Sequence, residues 1–189
     1  MKLRSLKFKS VKSTNDIAHL LIKKKNIRPT IILSEKQTKG RGTMGKKWIS
    51  KKGNLFITIF FSMNKTKVDF KKFAVLNAYI LKSILVKKFS KKIKIKWPND
   101  LLFEGKKICG ILQETVINTG KKFLIIGIGI NTNLEPKNSS FSSTSLKHIT
   151  KKNIDNKKLF IMIKNSYEKF LLKVNRNSFS DLKKFTKKL

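Results

Sequence analysis

The chain has 189 residues, 40% of them hydrophobic, which suits one domain with a core of its own and is too apolar for wholesale disorder. A net charge of +35 invites a nucleic-acid reading, yet only Arg4, Arg28, Arg41 and Arg176 among the 45 basic residues are arginines, the side chain that reads phosphates and base edges bidentately. Lysines scattered from end to end, in a chain rich in Asn, Ile and Phe, read instead as a solvated covering shaped by A/T-rich coding.

The amino terminus, Met1-Lys2-Leu3-Arg4-Ser5-Leu6-Lys7-Phe8, lacks the apolar stretch of a signal peptide, and no run approaches the ~18 residues of a membrane span. With a lone cysteine, Cys109, which excludes an internal disulfide, the expectation is a soluble cytoplasmic protein. Ser13-Thr14-Asn15-Asp16 predicts a helix start, with Ser13 or Thr14 as cap and Ile17, Leu20 and Leu21 at helical spacing, ending near Asn26. Strands are predicted over Thr30 to Glu35 and Asn54 to Met63, with a glycine-bearing loop between them. Asp69 to Phe89 places Phe70, Phe73, Asn77, Ile80, Leu81, Ile84 and Leu85 at three- and four-residue intervals, an amphipathic helix that should cover one sheet face.

Four more strands are expected at Ile93 to Trp97, Asp100 to Phe103, Lys107 to Val116 and Lys122 to Asn131. Turn residues at Pro98-Asn99, Glu104-Gly105 and Asn118-Thr119-Gly120 make them antiparallel neighbours. Residues 138–143 read as a polar loop containing Ser and Phe, with His148 in a loop as well; Asp155 to Val174 reads as a final amphipathic helix, and a short helix follows from Ser180. Without repeats or heptads, the fold class expected is α+β, a mixed or mainly antiparallel sheet with packed helices.

Chemistry concentrates in three places. Lys96-Trp97-Pro98-Asn99-Asp100, followed by Lys106-Lys107-Ile108-Cys109-Gly110, sets a carboxylate, an amide and ammonium groups beside a tight turn, a cluster suited to a metal-bound phosphate. A salt bridge from Asp100 to Lys96 is the plain structural alternative. Gln37-Thr38-Lys39-Gly40-Arg41-Gly42-Thr43-Met44-Gly45 formally matches a dinucleotide fingerprint, but a strand rather than a helix follows it, which rejects that reading. Arg41 between two glycines lets guanidinium and backbone amides converge on an anion. Gly127-Ile128-Gly129-Ile130-Asn131 is a second place where backbone can approach a ligand closely.

These motifs, in this order from Ser13-Thr14-Asn15 to Asn131, resemble those of the biotin protein ligases, over about two thirds of the chain. The resemblance implies the biotin–lipoate ligase fold, like that of class II aminoacyl-tRNA synthetases, and a single catalytic domain over 1–189 with its core motifs in 13–131 and a helical segment at 153–189. It implies ATP-dependent attachment of biotin, through biotinyl-adenylate, to a lysine of a biotin carboxyl carrier domain such as that of acetyl-CoA carboxylase, with Mg²⁺ as cofactor and with ATP and biotin as substrates. For biotin it implies Ser13, Thr14, Asn15, Gln37, Gly40, Arg41 and Lys107. Gly110, Gly127 and Gly129 suit strand packing equally well, and the resemblance favours backbone close to the bicyclic ring. Trp48, Lys96, Asn99 and Asn131 are implied on the nucleotide side, Asp100 as the metal ligand, and Lys107 with Arg41 as the catalytic cations.

The family loop usually reads Gly-Arg-Gly-Arg, and Thr43 stands where the second arginine would be. About a dozen residues precede Ser13, so a helix-turn-helix module ahead of it is not expected. Larger relatives continue into a small β-barrel domain, whereas this sequence stops at Lys187-Lys188-Leu189 after helices. A monomer or weak homodimer without specific DNA or membrane contact is the expected state. The rival readings are a lipoate or octanoate ligase or transferase of the same fold and, from another class, a non-specific nucleic-acid-binding protein.

Overall fold

Runs of β-branched and aromatic residues become strands, and three- and four-residue apolar spacing becomes helices. The computed structural model describes residues 2–64, 66–136 and 142–189. Its strands are β1 (Arg4–Phe8), β2 (Thr30–Ser34), β3 (Leu55–Ser62), β4 (Ile93–Lys96), β5 (Asp100–Phe103), β6 (Lys106–Asn118) and β7 (Lys121–Ile130). Its helices are α1 (Thr14–Lys23), α2 (Phe70–Lys88), α3 (Leu146–Thr150), α4 (Asn156–Lys173) and α5 (Phe179–Lys188). The strands form one sheet in the order β1-β2-β3-β7-β6-β5-β4. β1 pairs in parallel with β2, whereas β2–β3, β4–β5 and β5–β6 are antiparallel. The fold class is therefore the mixed, mainly antiparallel α+β arrangement that the sequence leads one to expect.

The chain forms two compact units, the first built from Lys2–Lys65 and Ile111–Gly129, the second from Thr66–Gly110 and Ile130–Leu189. In the first, α1 lays Ala18 and Ile22 on Ile32 of β2, Phe60 of β3 and Phe123 and Ile125 of β7, all fully buried. Leu6 and Phe8 of β1 pack at the edge of this cluster. Burying one such side chain contributes about 1.5–3 kcal/mol. Helix α1 stops at Lys23, short of the predicted Asn26, because Lys25 adopts a left-handed conformation with φ of 60°.

In the second unit α2 packs on β4 and β5 and against α4 and α5. Phe73 of α2 and Phe170 of α4 meet edge-on with centroids 6.2 Å apart, and Tyr167 lies 6.4 Å from Phe170 in the same manner. Asp69 caps α2 by accepting from the Lys72 N–H, and Asp155 caps α4 by accepting from those of Lys157 and Lys158. Cys109 is buried in this core, where burial pushes its thiol far up and leaves it without nucleophilic character.

Three expectations need correcting. The sequence reading missed β1 and α3, and His148, expected in a loop, lies in α3 with its Nδ1 3.1 Å from Glu135. Ser13 occupies the cap position of α1 in extended conformation, but its side chain makes no capping hydrogen bond. The polar loop expected at residues 138–143 falls largely outside the described residues.

Candidate functional site

In the first unit the beginning of α1, the glycine loop, β3, β6 and β7 bring most of the predicted ligand-facing residues together. Ser13, Thr14, Asn15 and Thr58 are all buried polar residues, so each must find partners inside the protein. Gln37 Oε1 accepts from the Thr14 N–H at 2.7 Å and lies 3.0 Å from the Thr14 hydroxyl. Its Nε2 donates to Ser50 Oγ at 2.8 Å, and Ser50 donates to the Trp48 carbonyl at 3.0 Å. The Thr58 hydroxyl donates to Asn15 Oδ1 at 2.6 Å and lies 2.7 Å from the Thr14 hydroxyl. Strand, helix and loop thus share one continuous polar network, which fixes side-chain orientations before any ligand arrives.

The glycines of this unit are filled by protein. A Cβ on Gly127 would meet the Asn15 amide, and one on Gly129 would run into the Trp48 indole. At Gly40 a Cβ would strike the Trp48 carbonyl and Ser50 Oγ. Close approach is what these positions require, and here side chains and the loop backbone do the approaching. The loop itself is a small hairpin in which Gly42 N–H donates to the Lys46 carbonyl at 2.7 Å and Trp48 N–H donates to the Gly40 carbonyl at 2.9 Å. Its tip at Thr43–Gly45 turns through positive φ at Met44 (54°) and Gly45 (73°). Thr43 is exposed there.

Glu114, in the interior of β6, is the residue that sequence reasoning missed. Its carboxylate receives Asn15 Nδ2 at 2.6 Å and both terminal nitrogens of Arg41, at 2.9 and 3.0 Å. His19 Nε2 lies 3.5 Å away, and Arg41 also reaches Asp16 at 3.0 Å. Burial alone would raise the Glu114 pKa, but the hydrogen bonds from Asn15 and Arg41 and the charges of Arg41 and His19 outweigh it and hold the carboxyl below its ordinary value. Asp16, Gln37, Gly40, Arg41, Trp48 and Glu114 contribute to the walls of a cleft of about 1050 Å³ within this unit.

In the second unit the predicted Lys96 to Asp100 motif is a hairpin between β4 and β5, with a cis bond between Trp97 and Pro98. Trp97 packs edge-on against Tyr79 of α2 at 5.6 Å. Across the next pair, Asp100 sits opposite Gly110 and Leu101 opposite Cys109, but Leu102 sits opposite Lys107, so Ile108 is an extra residue. Strand faces alternate by one residue, so without this bulge Lys107 would project to the face away from Asp100. With it, the two share a face and Lys107 Nζ lies 2.7 Å from Asp100 Oδ1, the side chains being 17% and 18% exposed. The salt-bridge partner of Asp100 is therefore Lys107 and not Lys96, which stands directly across the hairpin from Asp100 and is exposed.

The backbone of Lys107 is held on both sides. Its N–H donates to the Ser142 carbonyl at 2.9 Å, and its carbonyl accepts from Thr144 N–H at 3.0 Å and from Asn131 Nδ2 at 3.3 Å. Asn131 is buried, and its Oδ1 has no hydrogen-bond partner among the described residues. Flipping the amide would set Oδ1 against the Lys107 carbonyl, so the orphan acceptor belongs to this arrangement. Asn99 is half-buried and Gly110 fully so. Among the described residues, no three His, Cys, Asp or Glu side chains gather as a metal cage, and no helix is long and apolar enough to cross a membrane.

A glycine loop whose arginine is gripped by acids, together with a bulged strand that carries a lysine–aspartate pair, on a mainly antiparallel α+β fold, defines the class of protein to which this chain is similar. It belongs to the biotin/lipoate A/B protein ligase family, whose model matches residues 7–131. The bifunctional ligase/repressor BirA of Bacillus subtilis is 33% identical over 126 residues, covering 66% of this chain and 39% of that protein. The biotin–[acetyl-CoA-carboxylase] ligase of Paracoccus denitrificans is 30% identical over 103 residues, 53% of this chain and 43% of that protein. Among solved structures, the biotin protein ligase of Aquifex aeolicus in complex with biotin and ATP superposes with a TM-score of 0.78 at 28% identity, covering 97% of this chain and 76% of that one. The chain thus spans less than half the length of these two curated relatives.

Proposed function

We propose that this chain is the catalytic module of a biotin protein ligase. The biotin carboxylate attacks the α-phosphorus of ATP, forming a phosphorus–oxygen bond as pyrophosphate leaves and giving biotinyl-adenylate. A lysine amine of a carrier domain then attacks the acyl carbon, forming the amide, releasing AMP and shedding a proton. Neither step needs a covalent bond to the enzyme, so positioning and charge stabilisation are the protein's contribution. The observation that carries the reading is the Lys107–Asp100 pair set on one face by the β6 bulge. A partly buried ammonium with a firmly held backbone is suited to negative charge that builds between a carboxylate and a phosphate.

The other roles follow from chemistry. Ser13, Thr14, Asn15 and Gln37 offer hydroxyl and amide groups that suit an uncharged ureido ring, and Gly40, Gly110, Gly127 and Gly129 keep backbone close to it. Arg41 is the second cation for carboxylate and phosphate oxygens, with Lys96 in support. On the nucleotide side, Trp48 offers a stacking face and Asn99 an amide. The orphan Oδ1 of Asn131 suits a donor such as the exocyclic amine of adenine. Mg²⁺ arrives with ATP, whose phosphates and waters supply most of its ligands, and Asp100 is the carboxylate this chain offers it. The bound ion would neutralise phosphate charge.

The acceptor proposed is the biotin carboxyl carrier domain of acetyl-CoA carboxylase, in keeping with the name of the Paracoccus relative. Mass spectrometry of such a domain incubated with the chain, MgATP and either biotin, lipoate or octanoate tests both substrate and acceptor. One biotinyl group on one lysine is expected. Transfer of lipoate or octanoate in preference to biotin would assign the chain to the other branch of the family.

A further inference from the structure

Arg41 and Glu114 are 73 residues apart in sequence and form the most complete ion pair of the first unit. A guanidinium has five N–H donors in a rigid fork, and here Glu114 takes one from each terminal nitrogen while Asp16 takes another from Nη2. We propose that Glu114 is a positioning residue for the glycine loop: with Asp16 it clamps Arg41 and holds the loop on β6 in the ligand-free chain, and it yields Arg41 to an anionic ligand group entering the cleft.

Three features make the clamp exchangeable. Two carboxylates on one guanidinium leave a local charge of about −1, which repels an incoming anion until Arg41 turns away from them. A ligand carboxylate or phosphate can then accept the same bidentate fork that Glu114 gave up. Glu114 does not become an unpaired buried charge when it loses Arg41, because Asn15 Nδ2 at 2.6 Å still donates to it and His19 stands 3.5 Å away. The hairpin bonds of Gly42 and Trp48 run between residues of the loop itself, so the loop can move as one piece with its own backbone satisfied.

The test has two arms on the full chain, and only the second rests on the biotin reading. In the first, amide exchange at Gly42 and Trp48 is followed without ligand, with the amides of β3 as the internal reference for global folding. Glu114→Gln should speed loop exchange by about tenfold while β3 is unchanged, in line with the loss of a charge-assisted pair, and Glu114→Asp should fall between. Equal loop protection in wild type and Glu114→Gln would overturn the clamp. In the second, calorimetry compares biotin with biotinamide, its uncharged amide. Glu114→Gln should shift relative affinity towards biotin, because the anion no longer competes with Glu114 for Arg41, whereas a residue that merely supported the fold would weaken both alike. An unchanged ratio would overturn the exchange. If wild type binds neither compound, the biotin reading fails while the exchange-protection arm still decides the clamp.

Discussion

At the residue scale, Glu114 carries a charge that burial alone would suppress, and its partners reverse the sign of that effect. Because its folded pKa lies below the ordinary 4.5, it contributes stability that is fully present above about pH 4.5 and is lost as the pH falls through the lower folded value. The stability difference between wild type and Glu114→Gln should therefore be constant from neutrality down to about pH 4.5 and shrink below it. Thermal melting across that range measures it, and a difference that stays constant through the acid limb contradicts the assignment. Sequence inspection passed over Glu114 because a single acid inside a strand carries no periodic or motif signal. Its partners, Arg41 and Asn15, lie 73 and 99 residues away. Gln37, Arg41 and Lys107, by contrast, sit in compact motifs whose residue types announce anion chemistry.

At the element scale, α2 and α4 are joined by a buried polar contact as well as by rings. Tyr167 O–H donates to Asn77 Oδ1 at 3.1 Å, and both residues are fully buried. Removing the hydroxyl in Tyr167→Phe should cost about 1–2 kcal/mol and lower the melting temperature by a few degrees, since a buried bond is lost without a compensating water. An unchanged melting curve would mean that the contact contributes nothing. The long elements were legible because they offer many apolar positions at one period: α2 and α4 fall within a residue of their predicted bounds. β1, five residues with Arg4 and Lys7 between its apolar ones, and α3, a single capped turn and a half, offer too few positions for a period to be read. The β6 bulge was hidden for another reason. Ile108 and Cys109 are both buried, so hydropathy does not mark which of them is the extra residue, and only pairing with β5 puts Lys107 on the face of Asp100.

At the scale of the whole molecule, the two units divide the chemistry, one holding the polar network and the Arg41 loop, the other the Lys107–Asp100 pair and Asn131. The +35 charge is spread over both as mostly exposed lysines, so it describes the surface more than the site. The central claim is that Lys107 stabilises the charge that develops as biotin is adenylated. Rapid-quench measurement of biotinyl-adenylate formed from biotin and α-labelled MgATP, without any carrier domain, tests it most directly. Wild type should accumulate adenylate in a biotin-dependent burst, and Lys107→Ala, confirmed folded by its melting transition, should form it about a hundredfold or more slowly, the loss usual for a pre-aimed charge-stabilising group. Adenylate formed at the wild-type rate by the folded Lys107→Ala variant would contradict the account.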